Sequence, residues 1–439
     1  MKDFTTNIRK VTKAVSRQGF GLILLLDMEH EVPYTICGSM AEVGEVVPVG
    51  SKAYQIAGRI FAQKPRPEKL AIAGSTQKEF VAGTKGKYTL TIATEFTDGD
   101  IISVNGVKYT CRASGAVAEK NEFNSGTKQV EAQVLKELIE KNETSFSLST
   151  TADTVVFTQK IAAVGEMPFV EVTGSGKANI VKTISGEKDK GMIALLTETA
   201  QKHKDFFFLV STENANEDIR QLSAWIDTQE KMYFVTSQSL LTPKLLASEQ
   251  TVVMYHDKNN AYVAEGLAAY LATAKIGGVT AKFKTIAGVS EAQISETELE
   301  ELHKNNGFTY LEKMGILQTS EGKTTSGEYI DIVLGSFWIK VTMDAAMASL
   351  AAQTEKINFG NDGIAKMVAV CKSVLNRAAE DQGIIEKDEN GKGVFEVNYL
   401  PKEKVDGNDI ANRRYHHVTW TAKLAGAIHT GIINGTLEY

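Results

Sequence analysis

His256-Asp257 is the pair in this chain best suited to proton transfer, because an imidazole beside a carboxylate can serve as a general base. The pair closes the run Thr251–His256, which reads as a buried parallel strand, and α/β domains place their ligands at the carboxyl ends of such strands. A hydrolase would also need an activated nucleophile on a sharp turn, and the chain contains no Gly-x-Ser-x-Gly. A polar strand end is therefore the better reading of His256. His416-His417 and His429 could in principle hold a metal. Adjacent histidines on a strand face opposite ways, however, and no carboxylate sits at ligand spacing, so no metal site is expected. Gly174-Ser175-Gly176-Lys177-Ala178 is the nearest approach to a phosphate loop, which needs an earlier glycine, a hydroxyl after the lysine and a helix behind them. None of the three is present, and a turn is expected. Gly19-Phe20-Gly21 precedes a strand instead of following one, so the dinucleotide fingerprint fails too. Asn142-Glu143-Thr144 fits a glycosylation sequon that matters only to a secreted chain. No catalytic residue, cofactor or metal is expected.

The chain has 439 residues, so it is expected to hold two to four domains. Its 48 basic residues against 54 acidic ones leave a charge of −6, which disfavours a sequence-independent grip on nucleic acid. With 43% hydrophobic residues, wholesale disorder is excluded. Cys37, Cys111 and Cys371 are dispersed and odd in number, which suits neither a zinc cluster nor a disulfide framework and points to a reducing cytoplasm. The apolar run Phe20–Leu26 follows a basic stretch but is too short to span a bilayer and has no cleavage site behind it. It is expected to be a buried strand, and no membrane insertion is expected.

After that strand the spacing predicts a helix over Lys52–Gln63 and a strand at Lys69–Ala73. The texture then changes. Lys87–Ala93 alternates as a strand, Asp100–Thr110 reads as a hairpin around Asn105-Gly106, and Lys128–Lys141 reads as a helix with Val130, Val134, Leu135 and Leu138 on one stripe. Ser145–Leu148 and Thr154–Thr158 are further strands. The first texture returns with a helix at Gly191–Lys202, strands at Phe206–Ser211, Lys231–Thr236 and Thr251–His256, and helices at Asn216–Thr228 and Ala261–Ile276. Unbroken apolar strands alternating with helices predict a parallel sheet covered on both faces. The β-rich stretch at 80–185 is then an insertion, which costs little because closure entropy grows only logarithmically with loop length. Near Ser290 a third region begins. Ser295 and Glu298 form a capping box, strands are expected at Phe308–Met314 and Tyr329–Leu334, helices at Trp338–Gln353 and Gly363–Asp381, and strands in Tyr415–Leu437.

From Leu267 through the third region the chain also carries an ordered set of short motifs. A helix from Leu267 runs into Thr273-Ala274-Lys275-Ile276-Gly277-Gly278-Val279 and on to Ala287-Gly288-Val289, followed by Ser295–Leu302 and Asn306-Gly307-Phe308-Thr309-Tyr310. Ser326-Gly327-Glu328-Tyr329-Ile330-Asp331, Lys356-Ile357-Asn358, Asp362-Gly363-Ile364 and Leu424-Ala425-Gly426-Ala427-Ile428-His429 come next. In this order they resemble the tail sheath proteins of contractile-tailed bacteriophages and of phage-tail-like particles, a resemblance that extends to Ala53–Phe61 and Pro65–Ala73.

The resemblance implies a central doubly wound α/β domain, subtilisin-like in topology but not catalytic, with an inserted β-rich domain facing outward and a C-terminal α+β domain. The boundaries would be an arm at 1–18, core halves at 19–79 and 186–290, the insert at 80–185, and a tube-facing domain with a terminal strand arm at 291–439. It implies a structural subunit, not an enzyme, that assembles as stacked hexameric rings around a tail tube and contracts to drive the tube through the target cell envelope. Its partners would be copies of itself, the tail tube protein, and the baseplate and tail terminator proteins, in a virion tail made in the bacterial cytoplasm. The arm residues would be Phe4, Ile8 and Val11 at one end and Ile428, Ile432, Ile433 and Leu437 at the other, and Arg413 and Arg414 would face an acidic tube. The alternating, uncharged run Gly426–Leu437 suits an arm, because such an edge is an aggregation hazard unless another strand covers it. Pairing within its own subunit is the alternative. A tube or baseplate subunit, or an α/β enzyme centred on His256-Asp257, are the competing functions.

Overall fold

The computed structural model describes residues 20–430. They form a mixed α/β chain of two compact units, one holding the residues up to Thr76 and from Leu196 onward, the other Gln77–Leu195.

The first unit opens with β1 (Ile23–Asp27), buried at every position, as an apolar strand must be when protein lies on both its faces. An edge strand, β2 (Val32–Cys37), and a short helix, α1 (Met40–Val46), follow. Neither is visible in the periodicity. The strand is short and only its ends are buried, and Pro33, which lacks a ladder donor, is tolerated because β2 lies at the edge of its sheet. Helix α2 (Lys52–Phe61) starts where the Ser51 side chain accepts the Tyr54 N–H, and it buries Ala53, Ile56, Ala57, Ile60 and Phe61. Strand β3 (Leu70–Gly74) is buried throughout.

The second unit contains β4 (Lys87–Thr94), β5 (Ile101–Val104), β6 (Val107–Arg112), β7 (Glu122–Asn124), α3 (Lys128–Asn142), β8 (Phe146–Thr151), β9 (Thr154–Gln159), β10 (Val170–Thr173) and β11 (Lys177–Ile184). They make two four-stranded sheets, β10-β5-β6-β7 and β11-β4-β9-β8. Asn105 and Gly106 take φ of 50° and 84°, the positive pair that a two-residue hairpin of matching twist requires. The apolar face of α3 differs from the expected stripe. Ala132, Leu135, Leu138 and Ile139 are buried, whereas Val130 is 53% exposed. The reason is Glu131, whose carboxylate is drawn inward to accept the Phe96 and Gly126 N–H groups, turning Val130 outward. Strands β10 and β11 escape sequence reading because half their residues are polar and exposed.

The chain returns to the first unit through α4 (Met192–Lys202) and continues with β12 (Phe208–Ser211), α5 (Asn216–Ile226), β13 (Met232–Ser237), β14 (Thr251–Tyr255) and α6 (Val263–Thr273). Then come α7 (Glu296–Lys304), the hairpin β15 (Phe308–Lys313) and β16 (Ile316–Thr319), α8 (Ile330–Gln353), α9 (Asn361–Arg377), β17 (Phe395–Asn398), α10 (Gly407–Ala411) and β18 (Thr419–Ala422). The main sheet has eight strands in the order β16-β15-β14-β13-β12-β1-β3-β2. The run from β15 to β3 is parallel, and β2 and β16 are antiparallel edges. Helices lie on both faces. Thr251, which pairs with Tyr233, is bonded by Ser223 of α5, while Thr236, three residues beyond Tyr233 and so on the opposite face, is bonded by Glu265 of α6.

The strand expected at Tyr329–Leu334 is instead the start of α8. Ile330, Val333, Leu334 and Trp338 are buried at helical spacing, and this packing overrides the strand-like local composition. Gly277 and Gly278 let the loop after α6 approach closely. A Cβ on Gly278 would meet the Gln382 carbonyl oxygen at 1.7 Å.

Candidate functional site

Two of the chemical candidates read from the sequence, His256 and the Gly174–Lys177 turn, are occupied by the fold itself. The His256 ring is buried, and its Nδ1 accepts the Lys258 N–H at 3.0 Å. Nε2 must then carry the proton, which it donates to the Ser290 carbonyl at 3.1 Å. Asp257 accepts the Gln293 N–H at 2.8 Å. With both ring nitrogens committed, His256 ties the end of β14 to the loop before α7.

The Gly174–Lys177 turn does present backbone N–H groups as an anion cradle would, but a carboxylate fills it. Asp100 accepts from Thr97 N–H at 2.8 Å, Ser175 N–H at 2.9 Å and Gly176 N–H at 2.9 Å. The Thr97 amide, joined by those of Ser175 and Gly176, outweighs burial and holds this carboxyl well below the usual range. Gly174 has φ of 119°, and a Cβ there would meet the Asp100 carboxylate at 1.9 Å.

Two clusters were not legible beforehand. At the carboxyl end of β1, between β3 and β12 where the strand order reverses, buried Asp27 accepts the Glu29 N–H at 2.9 Å and pairs with His30 Nδ1 at 2.8 Å. The signal was the run Asp27-Met28-Glu29-His30 at a strand end, which one sequence cannot separate from a polar turn. The second cluster corrects the expectation for His416-His417. Residues 415–418 are not a strand, so the two rings need not diverge, and they lie 4.3 Å apart at 35°. Both Nε2 atoms stand 3.7 Å from the Asp409 carboxylate. Six residues separate Asp409 from His416, outside the spacings that mark a site on one element. His429 sits elsewhere, with Nε2 2.9 Å from the Thr280 hydroxyl and its ring against Tyr329.

The chain end has a different character. Within Tyr415–Leu437 the described strand is β18, which pairs antiparallel with β17 of the same chain. This sheet has two strands, so each keeps one unpaired edge among the described residues. Trp420, Leu424 and Tyr399 are exposed nearby, and Ile428 is 87% exposed. Arg413 and Arg414 are exposed on the turn after α10. Phe4, Ile8, Val11, Ile432, Ile433 and Leu437 lie outside the described residues. No described helix is long and apolar enough to cross a membrane.

Comparison with solved structures locates this architecture. The helical sheath of the anti-feeding prophage in its contracted state aligns over 99% of this chain and 98% of that chain, with 10% identity and a TM-score of 0.56. A chain of the anti-feeding prophage baseplate in its contracted state aligns over 100% of this chain and 98% of that one, with 10% identity and a TM-score of 0.51. A sheath tail protein of Desulfitobacterium hafniense aligns over 96% and 98% of the two chains, with 9% identity and a TM-score of 0.49. No protein-family model matches the chain, and no curated protein matches it in sequence. The chain thus shares, over nearly its whole length, the fold of a contractile-particle sheath protein.

Proposed function

We propose that this chain is the sheath subunit of a contractile phage-tail-like particle. It polymerises as stacked hexameric rings around a tail tube and contracts to drive the tube through a target cell envelope. The observation that carries this reading is the end-to-end likeness of fold to the contracted anti-feeding prophage sheath, which leaves almost no part of either chain unmatched. In this reading the main sheet is a subtilisin-like scaffold without protease chemistry, and the Gln77–Leu195 unit faces outward. The subunit needs no cofactor, is made in the bacterial cytoplasm, and meets the tube, the baseplate and the tail terminator in the finished tail.

Assembly follows from the terminal segments. Residues 1–18, with Phe4, Ile8 and Val11, and the end beyond Gly426, with Ile428, Ile432, Ile433 and Leu437, add strands to sheets of neighbouring copies. The open edges of β17 and β18 support this role, because a two-stranded sheet is marginal alone and gains main-chain hydrogen bonds from each added strand. Arg413 and Arg414 face the tube. Contraction moves rigid bodies on these arms from a metastable lattice to one with better contacts, and the covalent chain stays folded throughout.

Negative-stain microscopy of the expressed full-length chain tests the proposal. Wide tubes or stacked rings are expected. Thin tubes would assign a tube subunit instead, and dispersed monomers with enzymatic turnover would replace the whole reading. Deleting residues 428–439 should leave a folded but solitary chain. Normal polymerisation of that truncated chain would overturn the arm mechanism.

A further inference from the structure

We propose that Asp409, His416 and His417 bind one divalent transition-metal ion of the zinc type, at a site that does not depend on the sheath reading. A chain reversal brings the three together. Helix α10 ends at its Asn412 cap, and Arg413 takes a left-handed φ of 55°. The Arg414 N–H then donates to the Asp409 carbonyl at 2.8 Å, which sends the chain back along its own helix. The Tyr415 hydroxyl donates to the Leu400 carbonyl at 2.6 Å and anchors the returning segment. His416 and His417 therefore pass beside the Asp409 carboxylate.

The distances suit coordination better than hydrogen bonding. Each imidazole Nε2 lies 3.7 Å from Asp409 Oδ2, too far for a hydrogen bond. One donor atom from each residue lies within 4.8 Å of the other two. Tetrahedral ligands about 2.0–2.1 Å from zinc stand about 3.4 Å from each other, so modest side-chain shifts would close the shell. His417 Nε2 is also buried without a hydrogen-bond partner. That is a costly state for an imidazole, and a metal would relieve it.

The donor set selects the ion. Two imidazoles and one carboxylate suit borderline ions such as Zn²⁺ or Co²⁺, whereas Ca²⁺ requires six or more oxygens. The His416 side chain is 65% exposed, so the fourth position opens to solvent and would hold water. Coordination would tie α10 to the segment leading into β18.

Cobalt titration of the untagged full-length protein, followed by visible absorption, tests the site. One equivalent of Co²⁺ should develop the strong d–d bands of a low-coordinate centre, and Zn²⁺ should bleach them. His417→Gln and Asp409→Asn should each weaken binding at least about tenfold, since even partners outside a coordination shell are worth that much. His429→Gln should leave the titration unchanged. Absence of the bands would overturn the proposal, as would bands that survive in the His416→Gln/His417→Gln double variant. X-ray absorption of the cobalt-loaded wild type needs no variant, and fewer than two imidazoles in the shell would overturn it equally.

Discussion

At the scale of single residues, the chain uses its buried charges as internal ties. Asp100 shows this best, because its carboxylate gathers three backbone N–H groups from two separate loops. Asp100→Asn would turn an amide donor toward those N–H groups, and an unsatisfied buried donor costs about 1–3 kcal/mol. The loss should be read as a lower melting temperature and faster amide exchange at residues 97–112 and 174–180. The pH dependence has a definite sign. A carboxyl held below its ordinary value stabilises the folded state above its unfolded pKa of about 3.9. That stabilisation is lost as pH falls through the lower folded value. The gap between wild type and Asp100→Asn should therefore be full at neutral pH and narrow below about pH 4. A gap that widened in acid would contradict this account. His256 is also a tie, which is why its strand-end position carries no free nitrogen.

At the scale of elements, local signals act where the backbone needs a specific partner. The Ser295 side chain caps α7 by accepting the Glu298 N–H, and Glu298 accepts the Ser295 N–H at 2.9 Å. Ser295→Ala should cost about 0.5–2 kcal/mol and increase amide exchange within Glu296–Lys304 more than elsewhere. Equal exchange in the variant and the wild type would show that packing alone holds the helix. The same capping box was readable in advance because both partners fall within one turn. The start of α8 was not. Tyr329–Leu334 is apolar at nearly every position, which suits a buried strand and a buried helix alike. Trp338 and the packing below it decide for the helix.

At the scale of the whole molecule, the Gln77–Leu195 unit has its own sheets and its own core. Val81 and Lys190, at its entry and exit, exchange both backbone hydrogen bonds at 2.9 Å. That geometry is a hairpin pair, and two residues such as Asn-Gly can close it. Replacing residues 82–189 with Asn-Gly should leave a soluble chain that unfolds cooperatively in calorimetry and retains the main sheet. Under the proposed function it should still form tubes, visibly narrower if the unit faces outward. An insoluble or non-cooperative product would show that the main sheet requires the unit in order to fold. The likeness of fold to a contracted sheath spans this chain at 10% identity, so what the two chains share is architecture and not side chains.

From the sequence by itself came the identity of the strongly patterned elements: β1, β12, β13 and β14 as strands, α2 and α5 as helices, and the Asn105-Gly106 hairpin. Those features depend on neighbours within a few residues, so periodicity and turn chemistry record them directly. Only the tertiary structure decided the strand order of the main sheet, the half-exposed strands β2, β10 and β11, and the helical start of α8. It alone placed Asp100 in the Gly174–Gly176 turn and brought Asp409 beside His416 and His417. These outcomes rest on contacts between residues that lie apart in the chain. Their energies depend on which distant groups arrive, and no short stretch of sequence encodes that.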